Sequence, residues 1–380
     1  MVRISLSARG VALVAGSIVA WALAAAAPAV AVPVVAADYY GINSGAAFSG
    51  SPSGWDRAAA EIAQLGVGTV RRDAFWSAIE PTAPHRGVHS YRWHRTDLLV
   101  AALARSGLRW YPILDYGVAW ADHGDWQAPP TAAHVRDYAA FAGAMADRYG
   151  VGGSFWRAHP GLPTVPVSNY EIWNEPNVRH FWPHQSYAPA RLARMYLGAR
   201  TRVEAADPDG QVVLGGLSAI GVEGFLARMV RAQPRLRDRL QAVAFHPYGG
   251  GDHAGLSTTY TRIRALRAAL DRLVPSHPVP IEITETGWAV PPVPESWRAR
   301  RLARLATELP GSNCEVTRFI VFDWRNDSSS PASTAGFGIV RGDGSFTASA
   351  RALQRAIAKM RGGVVARAVP DPEELSCGQR

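Results

Sequence analysis

From residue 39 onward the chain alternates eight times between a short apolar run rich in β-branched side chains and a longer stretch of helical periodicity. The apolar runs lie at 39–43, 67–71, 109–114, 167–173, 211–215, 242–246, 279–284 and 316–322. The helical patterns lie at 55–65, 95–106, 133–149, 189–206, 223–232, 260–274, 295–309 and 349–360. Short, nearly continuous apolar strands belong to parallel sheets covered on both faces, and their alternation with helices is the pattern of βα units. Eight such units exceed the roughly five or six strands of a doubly wound sheet, and the glycine-rich phosphate loop of that fold is missing. The fold class this predicts is α/β, a single (β/α)8 TIM barrel over residues 38–360, with a short segment at 32–37 and a tail at 361–380. A hydrophobic content of 48% with 19% charged residues is that of a folded globule with a large core.

The N-terminus reads as a targeting signal. Arg3 and Arg9 precede an uncharged apolar run over 10–27, and Ala29-Val30-Ala31 supplies the small-x-small pattern that signal peptidases cut. Residues 1–31 are therefore expected to be removed on export, giving a secreted, extracellular protein; an uncleaved anchor is the alternative, since the run approaches the ~18 residues of a membrane span. Cys314 and Cys377 are the two cysteines, so an exported chain can carry one disulfide, whereas two cysteines without a CxxC spacing make no zinc site. The net charge of +9 would suit an acidic partner, but the arginines are scattered along helices apart from clusters at 228–239 and 298–304. That distribution does not point to nucleic acid.

In an α/β barrel the chemistry sits at the C-terminal ends of the strands. The polar residues fall there: Arg71, Arg72 and Asp73 close the second run, Asp115 and Tyr116 the third, Asn174 and Glu175 the fourth, His246 and Tyr248 the sixth, Glu285 the seventh, Asp323 and Trp324 the eighth. The two glutamates among them lie on separate strands, each near tryptophan: Glu175 in Ile172-Trp173-Asn174-Glu175-Pro176, and Glu285 in Thr284-Glu285-Thr286-Gly287-Trp288. Hydrolysis of a glycosidic bond needs such a pair, one acid to protonate the leaving oxygen and one to meet the cation that develops at the sugar carbon.

The segment Asn169 to Asn177 resembles the acid/base strand of the clan A glycoside hydrolases, the retaining (β/α)8 enzymes, and Thr284 to Trp288 resembles their nucleophile strand. Thr69-Val70-Arg71 followed by Phe75-Trp76, and His246-Pro247-Tyr248, are similar to the second- and sixth-strand motifs of the same clan. The likeness spans about residues 38–355, and families 39 and 5 are not separable on it. It implies a retaining hydrolase of a β-type linkage in an oligo- or polysaccharide, working by double displacement without metal or organic cofactor. It implies Glu175 as general acid/base, which a neighbouring tryptophan would help to hold a proton, and Glu285 as nucleophile, kept ionised by Arg71 and Tyr248. Asn174 would contact the sugar 2-hydroxyl, His246 would join the substrate-binding set, and Trp324 would form a platform under the sugar. The partner expected is a carbohydrate substrate, with no nucleic acid, no membrane after leader cleavage, and a monomer. A transglycosidase using the same glutamates, and a catalytically silent carbohydrate-binding barrel, are the alternatives.

Other residues compete for these roles. Glu282 lies three positions before Glu285, so in a regular strand it would face the helix layer and form a structural ion pair. Glu171 lies lower in its strand and would pair with an arginine inside the barrel. His246 read alone fits a satisfied core histidine better than a site residue, and its place in His246-Pro247-Tyr248 brings the two readings level; His123, His180, His184 and His253 read as solvated loop residues. Trp76, Trp120, Trp126, Trp173, Trp182 and Trp288 fall near the presumed active face, where rings stack on sugar C–H faces but also bury well in cores. The loops at 120–131 and 249–255 are expected to shape the cleft.

Overall fold

The eight apolar runs become the staves of one closed parallel barrel. In this computed structural model, which describes residues 30–31, 34–122, 124, 128–249, 255–326, 335–362, 364–365 and 375–378, the strands are β1 (Tyr40–Asn43), β2 (Thr69–Phe75), β3 (Arg109–Asp115), β4 (Asn169–Asn174), β5 (Gln211–Ser218), β6 (Ala242–His246), β7 (Ile281–Ile283) and β8 (Val316–Val321). Each pairs with the next, and β8 pairs back onto β1. The outer layer is α1 (Trp55–Ala63), α2 (His94–Arg105), α3 (Val135–Tyr149), α4 (Ala188–Ala206), α5 (Val222–Ala232), α6 (Leu256–Leu273), α7 (Glu295–Glu308) and α8 (Ala348–Arg361). The expected leader lies outside the described residues except for Val30–Ala31, which pairs antiparallel with Val364–Val365.

The main core fills the space between strands and helices, from Ile42, Val70 and Leu114 on the strands to Leu192, Ile263 and Leu353 on the helices. Inside the barrel the apolar cluster is small: Tyr111, Val213, Ala242, Ala244 and Ile320. Polar side chains supply the rest of the interior, in two tiers. The lower tier is Glu282, which accepts from Tyr111 Oη at 2.6 Å and Asn169 Nδ2 at 2.8 Å and lies 3.4 Å from Arg318 Nε. The upper tier is centred on Arg71 and Glu171.

This placement corrects the expectation that Glu282 faces the helices. The regular strand ends at Ile283, so alternation cannot be counted back from Glu285; the pairing of Glu282 with Ala244 puts it on the interior face. The ion-pair half of that expectation is met by Arg318, and Glu171 pairs with Arg71 inside the barrel. The second strand also runs four residues past its apolar pattern, to Phe75, because its pairing with β3 continues from Thr69↔Arg109 to Phe75↔Asp115 while its inward side chains turn polar.

The bottom of the barrel holds the chain end. Cys314 is joined to Cys377 with a Cα–Cα distance of 5.2 Å, Asn313 exchanges two hydrogen bonds with the Cys377 backbone, and Leu375 packs into the main core. A bridge across a sequence separation of 63 contributes roughly 4 kcal/mol in the chain-entropy model. Cys377→Ser should therefore lower stability in urea by about that energy or less, with a steeper slope because the unfolded chain loses its cross-link and exposes more surface. Intact mass before and after reduction checks the bond itself: a gain of two hydrogens is expected on reduction, and a pair of free thiols in the native protein would remove the premise.

Candidate active site

Glu175 and Glu285 meet over the C-terminal mouth of the barrel, on either side of one histidine. His246 Nδ1 is 2.9 Å from Glu175 Oε1 and 3.6 Å from Glu285 Oε2, so those two oxygens are at most 6.5 Å apart, the two distances laid end to end. The ring's other nitrogen, Nε2, lies 3.1 Å from the Thr284 hydroxyl. Nδ1 thus lies between the two carboxyls, and Nε2 is turned to the Thr284 hydroxyl. His246 is buried, yet it is not merely a satisfied core residue, because both of its neighbours at Nδ1 line the cavity.

Arg71 is the hub of the floor. All five of its N–H groups are used: Nε and Nη2 on the two oxygens of Glu171, Nη2 also on Asn174 Oδ1 at 2.9 Å, and Nη1 on Asn43 Oδ1 at 2.9 Å and Glu285 Oε1 at 2.6 Å. Tyr248 donates to the second oxygen of Glu285 at 2.9 Å. Burial by itself would push the Glu285 carboxyl up; the charges of His246 and Arg71 and the hydrogen bonds from Tyr248 and Arg71 outweigh it and hold the group below the usual carboxylate range. Asn174 Oδ1 is occupied by Arg71, and its amide group, which also meets the Tyr116 side chain, lines the cavity.

Local backbone conformation aims these groups. Trp173 and Glu175 both adopt positive φ, 71° and 40°, conformations that L residues rarely hold and that cluster at functional sites. The turn is anchored by Glu175 N–H donating to Gly216 O at 2.9 Å. Gly216 also supplies the space: a Cβ there would lie 2.3 Å from His246 Nε2 and 2.7 Å from Glu171 Oε1. The Gly215-Gly216 pair had no evident signal in the sequence beyond two glycines in a strand pattern, which marks close backbone approach.

The cavity, about 800 Å³, has two unlike walls. On the β1–β2 side it is polar, with Asn43, Ser44, Arg72 and Asp73; on the β7–β8 side it is apolar, with Trp288, Pro291, Pro292, Phe322 and Phe337. Arg298, itself buried, ties this second wall together by donating to Gly336 O at 2.8 Å, Phe337 O at 3.2 Å and Trp288 O at 3.4 Å. The platform expected at Trp324 is corrected here. Trp324 has no exposed surface and packs edge-on against Phe346, whereas Phe322, two residues earlier, lines the cavity with Tyr248 and Phe337 at its edges.

Among the other tryptophans, Trp76, Trp173 and Trp182 are core residues and Trp288 lines the cavity. His180 and His184 are exposed and outside the cavity lining. His123, Trp126, His253 and most of the 249–255 stretch lie outside the described residues.

No protein-family model and no curated protein matches the chain. Solved structures do. A monomeric β-xylosidase from Caulobacter crescentus CB15 aligns at 20% identity and a TM-score of 0.60, over 84% of this chain and 68% of that one. A family 39 glycoside hydrolase from Bacteroides cellulosilyticus WH2 aligns at 20% identity and 0.61, over 85% and 64%, so the chain spans less than two thirds of that protein. GH5_18 from Streptomyces cattleya, in complex with GlcNAc, aligns at 16% identity and 0.62, over 86% and 81%. At such identities the likeness is one of fold, and it is to (β/α)8 barrels.

One further carboxyl at the site titrates out of place. Burial and then the negative charge of Glu285 push Asp323 up to about 7, against the pull of Arg298. Because the folded protein then binds this proton more tightly than the unfolded chain does, Asp323 lowers stability progressively as pH rises from about 4 to about 7, by up to about 4 kcal/mol. Asp323→Asn should accordingly raise the melting temperature at about pH 8 and leave it unchanged below about pH 4; an equal effect at both would show that the carboxyl does not titrate in this window.

Proposed function

We propose that this chain is a retaining glycoside hydrolase of the clan A barrel type, akin to families 39 and 5, acting on a β-linked sugar. The observation that carries the reading is the single His246 nitrogen shared by Glu175 and Glu285. It bounds their facing oxygens at 6.5 Å, within reach of the roughly 5–5.5 Å carboxyl separation of a covalent mechanism and short of most of the range in which a water fits between. The names of the structures it resembles in fold, a β-xylosidase and a family 39 hydrolase among them, support the same class.

In this reading the steps are these. Glu285, ionised and oriented by Arg71 and Tyr248, attacks the anomeric carbon. As the bond to the leaving oxygen breaks, Glu175 gives that oxygen its proton. The glycosyl ester on Glu285 is then opened by water, which loses a proton to Glu175 and restores both groups. Asn174, its carbonyl held by Arg71, donates to a hydroxyl of the ring, the 2-hydroxyl by resemblance. Phe322 takes the apolar role expected of Trp324.

Export is part of the reading, supported by the basic and apolar leader over 1–31 and by the Cys314–Cys377 bond, which persists in oxidising compartments. Cleavage there would also remove the Val30–Ala31 strand. N-terminal sequencing of protein recovered outside the producing cell should begin near residue 32; a chain that keeps its leader would count against export with cleavage.

The test of the chemistry is a panel of aryl β-glycosides, with the anomer of the first product read by proton NMR. A β product from a β substrate is expected, and an α product would rule out the covalent route. Glu285→Gln should lower kcat by about 10⁴-fold or more. Tyr248→Phe removes one of the hydrogen bonds that hold Glu285 low, so the acid limb of the pH–rate profile should move to higher pH.

A further inference from the structure

The mechanism leaves a second pair of carboxyls unused, one strand away from the first. Asp73 on β2 lines the polar wall of the cavity. Asp115, at the end of β3, is fully buried, and among the described residues neither of its oxygens meets a hydrogen-bond donor. The two side chains lie beside each other on adjacent strands, whose pairing runs Asp73↔Ile113 and Phe75↔Asp115, close enough for each carboxyl to raise the proton affinity of the pair. Two ionised carboxylates cannot sit so close away from water.

Among the described residues no cation donates to the pair, although the charges of Arg71 and Arg72 draw Asp73 toward its ionised form. Arg71 is the nearest buried cation, and its five N–H groups are spent on Glu171, Asn43, Asn174 and Glu285. Arg72 donates instead to Ser44 Oγ, Gly45 O and Phe48 O. The remaining titratable neighbours are Glu171 across the interior, Tyr116 beside Asp115, Tyr138 from α3 and Glu285, none of which supplies a positive charge. Among the described residues no group of three or more His, Cys, Asp or Glu side chains is placed to hold a metal ion.

We propose that Asp115 keeps a proton and donates it in a hydrogen bond to Asp73, which thereby stays an acceptor at the cavity wall and receives a free hydroxyl of the bound sugar ring. Asp73 is then a binding residue for the glycone, and Asp115 its positioning residue. This rests on the glycosidase reading for the identity of the ligand, though the shared proton does not. The assignment fits the burial of the two groups: the proton resides on the fully enclosed carboxyl, which burial and the facing Asp73 push well above the usual carboxylate range, and the charge remains on the one that meets the cavity.

The first experiment is independent of any substrate. Infrared spectra of the whole protein at neutral pH should show protonated carboxylic acid absorption that loses one component in Asp115→Asn, while the part due to Asp323 and Glu175 remains; absorption unchanged by that substitution overturns the shared proton. Stability gives a second reading. The native state holds the proton above the pH at which the unfolded aspartate loses it, so wild-type stability falls as pH rises from about 4. Asp115→Asn, which offers an amide N–H in the proton's place, should remove part of that fall, and an identical pH dependence in the two proteins would overturn the assignment.

The binding role is read on a series of monodeoxy aryl β-glycosides. Asp115→Leu, of similar volume without a donor, should lower kcat/KM about 10- to 100-fold, the size of a hydrogen bond to a charged group, and Asp115→Asn should recover most of it. Asp73→Ala and deletion of one particular sugar hydroxyl should cost similar factors that do not add when combined. Additive losses for every hydroxyl would sink the glycone contact. Absence of hydrolysis in wild type would instead sink the proposed function while the infrared and stability results still decide the proton.

Discussion

The structure turns on one guanidinium that has been withdrawn from water. Arg71 sits inside the barrel with negligible exposure, and a charge there is tolerable only if each of its donors finds an acceptor. The acceptors come from β1, β4 and the end of β7, through Asn43, Glu171, Asn174 and Glu285. Satisfying one side chain therefore fixes the relative positions of strands that are far apart in sequence. It also decides which carboxylate does what: Glu171, fully buried and held by both Nε and Nη2 of Arg71, neutralises the arginine, while Glu285 gives it one oxygen and turns the other toward Tyr248 and the cavity.

The same economy explains the backbone around Glu175. A carboxyl that must face Glu285 across the mouth cannot continue the alternation of β4, and the chain leaves it through positive φ at Trp173 and Glu175. Those conformations cost on the order of 1–3 kcal/mol each unless the surroundings over-determine them. Here the surroundings do so, with the Glu175 amide bonded to Gly216 O, the Gly216 amide bonded to Glu171 Oε1, and a glycine at 216 because His246 occupies the volume a side chain would need.

What the sequence revealed and what it concealed divide along physical lines. Strand–helix alternation is a consequence of burial between strands and helices, and residues 242–246 or 211–215 could be recognised by apolar character alone. Positions at strand C-termini were legible too, since Glu175, Glu285, Arg71 and Tyr248 are polar where a barrel interior opens. Concealed were features set by where regular structure stops. Glu282 could not be assigned to a face without knowing that β7 ends at Ile283. Phe322 and Trp324 are both aromatic at the end of β8, and only the path of the chain toward Phe346 tells which ring is buried. The pairing of Asp73 with Asp115 was hidden for a related reason: both were visible as polar strand ends, but contact between them depends on the β2–β3 register.

The sugar ring proposed as ligand has two kinds of surface, and so does this cavity. Hydroxyls radiate around the ring edge while C–H bonds present apolar faces, and the cavity sets carboxyl, amide and guanidinium groups on the β1–β2 side against Phe322, Phe337, Trp288 and two prolines on the β7–β8 side. The apolar side is held by a buried charge of its own: Arg298 bonds three backbone carbonyls of the two loops that carry it and anchors them to Glu295 and Ser349. Ordering both walls before a ligand arrives keeps the cost of arranging them out of the binding step. Each wall is thus fixed by a buried arginine, Arg71 at the floor and Arg298 behind the aromatic face, and in both cases the constraint that locates the groups lining the cavity is the need to satisfy a charge withdrawn from water.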